Sequence, residues 1–370
     1  MGVVAVRSIS TENQKTRELL ATLRLLSPGT HLREGIDYII QGKTGGLIVV
    51  GDTPEILDLI EGGFRINCQY APARLYELSK MDGAIILSED MKRIVRANVT
   101  LRVDPSIPSR ETGLRHRSAD KFAKQTEHIV LAVSQSRNTL TLYLKNQHYI
   151  FRERPVLLSG ANQTMLALTQ YVKAMQNALT LLNWAELSGN VALANVVTAI
   201  QLCERVRRAE QDLNLYRIEL GTQAESIQHI PELTTEIDSG LLITKDYYHE
   251  RLRDESEAVE KIIGLDANCL ANQSNISEAL GYPRDIRNTF EVLEPRGYRM
   301  LSQVPRIPFN IIENIVHEFK TLDRIYTTAI GELQAIDGVG KTRASTIKDT
   351  LSQMKTTTTQ PHTLALSAFE

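Results

Sequence analysis

The sequence is short of cysteine, of long apolar runs and of net charge, and each shortage excludes something. Cysteine occurs three times in 370 residues, at Cys68, Cys203 and Cys269, with no CxxC pair. Thiols so widely spaced build neither a disulfide framework nor a zinc site, and they fit a reducing cytoplasm. No stretch approaches the roughly 18 apolar residues of a membrane-spanning helix. Met1 to Lys15 lacks the layout of a secretion signal, and Val6 stands where an acylated Gly2 would want Ser or Thr. The expectation is a cytoplasmic protein with no membrane partner. The formal net charge is −2, so any surface for nucleic acid must be local.

Familiar catalytic signatures are missing too. Gly42-Lys43-Thr44 has Asp37 where a P-loop needs glycine, and a strand pattern follows it rather than a helix. No GxGxxG opens a helix, His317-Glu318 lacks a second histidine at the zincin spacing, and no serine sits in a nucleophile elbow. No clustered acidic pair suggests a nuclease.

What is present is a chain of ordinary globular composition, 42% apolar and 23% charged, long enough for two or three domains. Residues 1–152 alternate helical and strand patterns. Leu47–Val50, Ala84–Leu87 and Ile129–Val133 read as strands buried on both faces. Helical spacing covers Glu12–Leu26, Pro54–Ile60, Pro72–Met81 and Leu114–Thr126, and a hairpin joins Thr139–Leu144 to Tyr149–Phe151. This predicts an α/β domain with a mixed sheet. Residues 153–303 read as an all-α spine, led by two long antiparallel helices that meet near Ser188-Gly189-Asn190. Residues 204–260 hold 14 acidic and 7 basic side chains, a surface that repels phosphate. Residues 304–355 form a third, all-α region with helical patterns over Ile311–Phe319 and Ile330–Leu351, and residues 356–370 are expected to be disordered.

Two segments of the first region carry unusual chemistry. Asp82-Gly83-Ala84 puts a carboxylate beside two small residues at a strand end, where a ligand can approach the backbone. Taken singly it also reads as a helix-ending turn. Arg115-His116-Arg117 crowds cations at a helix start, where free N–H groups already favour anions. Polyphosphate would make that arrangement sensible. Thr112 and Ser118 offer caps or further phosphate contacts.

Together these segments resemble the diadenylate cyclase family, whose markers are an Asp-Gly-Ala followed by an Arg-His-Arg. Thr44–Gly51 and Tyr76–Met81 are similar to that family as well. Where the family usually shows Thr-Ala-Glu, this chain has Ser118-Ala119-Asp120, which keeps a hydroxyl and a carboxylate. The resemblance implies condensation of two ATP molecules with release of two pyrophosphates, and a divalent metal, Mg²⁺ or Mn²⁺. It makes Asp82 the candidate for activating a 3′-hydroxyl, holding the metal, or both. Arg115, His116 and Arg117 would hold the triphosphate. Gly83, Ala84, Leu101, Leu114 to Ser118 and Ser134 would line the nucleotide pocket. Because the product is two-fold symmetric and one pocket holds one ATP, two domains must face each other.

The segment Leu333–Lys348 resembles a helix-hairpin-helix. Leu333 and Ile336 anchor its first helix, Ala344 and Ile347 its second, and Gly338-Val339-Gly340 makes the turn. The turn's N–H groups can approach a phosphate, and Lys341, Arg343 and Lys348 add positive charge. Val304–Phe319 reads as a degenerate first hairpin of a tandem pair. The order of cyclase, spine and hairpin, with Leu280–Pro283 and Leu293–Arg299, extends the likeness to DNA-responsive cyclases over the whole chain. It implies an octamer of face-to-face dimers, nucleoid association, and inhibition by branched DNA such as four-way junctions. The other reading is a DNA-binding scaffold whose N-terminal domain senses nucleotide without catalysis.

Overall fold

The computed structural model describes residues 12–227, 233–286 and 292–358. These fall into two compact units, one of residues 12–163 and 212–227, the other of residues 164–211 and the described residues from 233 on.

The first unit runs α1 (Glu12–Leu25), α2 (His31–Gln41), β1 (Gly46–Val50), α3 (Pro54–Asp58), β2 (Ile60–Glu61), β3 (Phe64–Gln69), α4 (Pro72–Ser79), β4 (Ala84–Leu87), β5 (Arg93–Leu101), α5 (Leu114–Thr126), β6 (Ile129–Val133), β7 (Leu140–Leu144) and β8 (Gln147–Ile150). The eight strands form one sheet in the order β2-β5-β4-β1-β6-β7-β8, with β3 also on β5. β1 and β4 are parallel, whereas β5 and β6 run antiparallel to them, so the sheet is mixed. The apolar runs are continuous because both faces are covered. Ile48, Val50, Ile85 and Leu87 pack with Leu23, Ile36 and Leu75 of α1, α2 and α4. Leu47, Val49, Ala84 and Ile86 pack with Ala119, Phe122 and Ala123 of α5. Gly42-Lys43-Thr44 leads from helix α2 into strand β1, the reverse of the order a P-loop needs.

Two long helices follow, α6 (Arg154–Leu187) and α7 (Leu193–Leu220), joined at a turn where Gly189 has φ +65°. A Cβ at Gly160 would meet the Tyr216 hydroxyl, and Arg205 lies 5.7 Å over the Tyr171 ring. Both pairs are equidistant from the turn, as an antiparallel pair requires. The buried Glu219 at the end of α7 accepts from the Tyr149 hydroxyl at 2.6 Å and from Arg152, which stacks on Tyr216.

The second unit continues with α8 (Leu233–Tyr247), α9 (Glu255–Gly264), α10 (Ala267–Ala271), α11 (Gln273–Ala279), α12 (Tyr298–Ser302), α13 (Phe309–Phe319), α14 (Leu322–Thr327), α15 (Ile330–Gln334) and α16 (Lys341–Thr358). Asp246 on α8 caps α12, accepting the N–H groups of Gly297, Tyr298 and Arg299 at 2.7, 2.7 and 3.0 Å. Burial, with the Glu186 carboxylate nearby, pushes Asp246 up to about 7. Glu186 pairs with buried Arg299 and accepts from Tyr247 at 2.8 Å. The apolar cluster under the last helices includes Leu333, Val339, Ala344, Ile347 and Leu351, with Ile336 packed at its margin. The Ile330–Leu351 pattern is broken at the Gly338 turn, and α16 runs on to Thr358 into the expected tail. Residues 359–370 of that tail lie outside the described residues.

Candidate functional site

The mixed sheet decides where the chemistry gathers. The parallel register sets Ile48 beside Ile85, so the starts of β1 and β4 are neighbours. Antiparallel pairing sets Ala84 against Val99 and Gly46 against Val133. One sheet edge therefore collects Thr44-Gly45, Asp82-Gly83, the end of β5 at Leu101 and the end of β6 at Ser134. It is the carboxyl end of β5 and β6 but the amino end of β1 and β4, so the site is not the usual crevice at the carboxyl ends of parallel strands.

Asp82 is exposed and has no hydrogen bond or ion pair among the described residues. Gly83 has φ +90°, and a Cβ there would stand 2.8 Å from the Val99 carbonyl oxygen. Ala84 is fully buried against Val99. Leu101 is buried among the apolar residues under α5 and pairs with Ile60. Ser134 accepts the Arg137 N–H at 3.2 Å.

Helix α5 approaches this edge with its amino end. Its N-cap is Gly113 and no side chain caps it. Of the two roles open to Thr112 and Ser118, neither side chain takes that of a cap, so the first-turn N–H groups keep their bias toward anions. Leu114 is 80% exposed. The next three residues diverge. Arg115 reaches the sheet edge, where its Nη1 donates to the Val133 carbonyl at 3.3 Å and fills the space that a side chain on Gly45 would take. His116 turns inward, with Nδ1 3.0 Å from the Tyr143 hydroxyl. Burial, helped by Arg115 and Arg137, holds its pKa below the usual value, while Glu111 opposes the shift. Arg117 folds back on the preceding loop and donates to the carbonyls of Glu111 and Thr112, both at 3.4 Å.

Two groups at this edge escaped the reading of the sequence, Tyr143 and Arg137, and Glu111, which opens the Arg-His-Arg segment, was given no role. Tyr143 and Arg137 come from β7 and the β6–β7 loop, and only the strand register brings them to His116, whereas Glu111 lies in the loop that leads into α5. Lys121 and Lys124 also donate to the Pro105 and Pro108 carbonyls, both at 2.9 Å, tying the loop that carries Glu111 to α5.

At the other end of the chain, Gly338 has φ +81°, Val339 is buried, and a Cβ on Gly340 would meet nothing within 4 Å. Lys341 is exposed at the start of α16. Arg343 donates to the Gly338 carbonyl at 2.7 Å. Lys348 is turned inward and donates to the Ile325 and Tyr326 carbonyls at 3.0 and 2.6 Å, near the end of α14. It is therefore engaged in packing, away from the hairpin turn. The turn between α12 and α13 also holds one residue in the left-handed region, Arg306 at φ +64°.

Comparison with known proteins matches the first domain and the helices that follow it to family models. Residues 33–148 match the family model described as DisA bacterial checkpoint controller nucleotide-binding, and residues 151–289 match the DisA bacterial checkpoint controller linker region. The DNA integrity scanning protein DisA of Clostridium tetani is 43% identical over 350 residues, covering 94% of this chain and 96% of that protein. Its counterpart in Acetivibrio thermocellus is 42% identical over 346 residues, covering 93% and 96%.

Proposed function

This chain belongs to the DisA family, and from that premise we propose that it condenses two ATP molecules into cyclic di-AMP. In each half of the reaction a 3′-oxygen attacks the α-phosphorus of the facing nucleotide. The bond from that phosphorus to the pyrophosphate oxygen breaks, and pyrophosphate leaves with its electron pair. Two such steps form two phosphodiester bonds and release two pyrophosphates and two protons. Little covalent help is needed, and positioning with charge neutralisation carries the rate.

The observation that carries this reading is the convergence of an exposed carboxylate, Asp82, with no partner among the described residues, and the Arg115 guanidinium on one sheet edge beside Gly45. Asp82 takes the 3′-hydroxyl proton or holds a metal. Arg115, His116 and the open start of α5 bind the triphosphate. Arg117 shapes the loop and keeps donors beyond its two carbonyl bonds. Gly83 and Ala84 let the nucleotide approach the backbone, and Leu101, Leu114, Ser118 and Ser134 border it.

Among the described residues no three His, Cys, Asp or Glu side chains cluster to hold a metal ion. Mg²⁺ is commonly held by one or two carboxylates plus substrate phosphates, and exposed Asp82 fits that role for Mg²⁺ or Mn²⁺ arriving with ATP. The ion supplies neutralisation of the triphosphate charge.

The product's two-fold symmetry calls for two cyclase domains face to face, within an octamer of four such dimers. The last helices act as a tandem helix-hairpin-helix. Gly338, Val339 and Gly340 offer backbone N–H groups, and Lys341 and Arg343 offer charge, to the phosphates of branched DNA. The test is purified protein with ATP and Mg²⁺ or Mn²⁺, products resolved by chromatography, with and without a four-way junction. Cyclic di-AMP formation that the junction slows is expected. ATP binding without product would leave only a nucleotide sensor on a DNA-binding scaffold.

A further inference from the structure

His116 is the one member of the Arg-His-Arg segment whose ring is held from behind. Tyr143 is 1% exposed, fixed on β7 opposite Val130 and His148. Its ring meets the imidazole edge to face, with centroids 6.2 Å apart. Burial first, then the negative charge of the nearby Glu111 carboxylate, holds the phenol ionisation well above its usual range, so the hydroxyl keeps its proton. A phenol has one hydrogen to give. The Glu111 charge nearby draws that hydrogen toward itself, which leaves the phenol oxygen to accept from His116 Nδ1–H. Nε2 has no hydrogen-bond partner among the described residues.

We propose that Tyr143, its hydroxyl oriented by the Glu111 charge, is a positioning residue that holds His116 in the Nδ1–H form and aims Nε2 at the triphosphate. This rests on the reading of the edge as an ATP site. A bare Nε2 lone pair repels a phosphate oxygen, so His116 takes up a proton as ATP binds. The imidazolium then donates from Nε2 to phosphate and from Nδ1 to Tyr143. The charged and titratable groups around this pair are Glu111 on the loop, Arg115 and Asp120 on α5, Arg137 on the β6–β7 loop, and His148 on β8. Ring orientation by a partner on the far nitrogen is a recurrent way of fixing a histidine's tautomer.

The test is a double-mutant cycle on the full chain, with a protonation measurement beside it. Tyr143→Phe keeps the packed ring and is expected to lower kcat/KM about tenfold, the scale seen when a histidine loses its orienting partner. Without that acceptor the imidazolium is less stable, so the fall of activity with rising pH should move to lower pH. His116→Ala should cost more, and the double variant should be no worse than His116→Ala alone. Calorimetry of ATP binding in two buffers of different ionisation enthalpy should show proton uptake by the native protein that His116→Ala abolishes. Additive losses, an unmoved pH profile in Tyr143→Phe, or binding without proton uptake overturns the inference while the cyclase reading stands. Native synthesis by His116→Ala removes the histidine from the site, and the inference with it.

Discussion

Asp82 and Gly83 show how adjacent residues divide the work. Asp82 is exposed and unpartnered among the described residues, so replacing its charge should spare the fold. Asp82→Asn is expected to lower cyclic di-AMP synthesis by about two orders of magnitude or more, the usual weight of a positioned proton acceptor, with ATP affinity by calorimetry within a few-fold of native. Near-native synthesis would remove Asp82 from the mechanism. Gly83 is constrained by the fold instead, since a Cβ would press the Val99 carbonyl oxygen at 2.8 Å and the Asn98 carbonyl carbon at 2.9 Å with φ at +90°. Gly83→Ala should cost about 1–3 kcal/mol, read as a lower unfolding midpoint in urea, and should impair synthesis. At this scale the sequence was informative where chemistry is written in residue type, as in Asp82-Gly83-Ala84 and Arg115-His116-Arg117. It was silent on direction. Lys348 carries the charge of a phosphate contact, yet its ammonium holds the carbonyls of Ile325 and Tyr326.

Elements were legible in proportion to how uniform their surroundings are. β1, β4 and β6 are buried on both faces and show as unbroken apolar runs. β5 escaped notice because Arg93 and Arg96 interrupt its pattern and Asn98 sits at φ +56°, where its register with β4 shifts. α2 was missed although Leu32, Ile36 and Ile39 line its buried face. Gly35 in its interior argues against a helix, but a Cβ there would stand 2.5 Å from the Tyr70 hydroxyl. The capping of α12 was equally invisible, because its acceptor lies some fifty residues upstream. Asp246→Ala leaves three N–H groups of a buried helix start without their acceptor. A loss of about 3 kcal/mol is expected in urea unfolding. A loss within error would mean that the cap contributes nothing.

Over the whole molecule, the order of an α/β domain, long antiparallel helices and a closing pair of short-turned helices could be read from the sequence. The joints, Glu219 with Arg152 and Glu186 with Arg299, could not, because partners so far apart are matched only by folding. With a net charge of −2, any attraction to DNA is local, and the proposed surface for it is the hairpin. Lys341→Ala with Arg343→Ala should weaken junction binding alike for all sequences and flatten its salt dependence by about two phosphate contacts. An unchanged salt slope would exclude the hairpin as the DNA surface. The central claim is that two such sheet edges must meet around a pair of nucleotides. It is tested most directly by separating the protein by size and assaying each species with ATP and Mg²⁺. The account predicts cyclic di-AMP from dimers and larger assemblies, and ATP binding without product from single chains. Synthesis by a verified single chain at the native rate would contradict it.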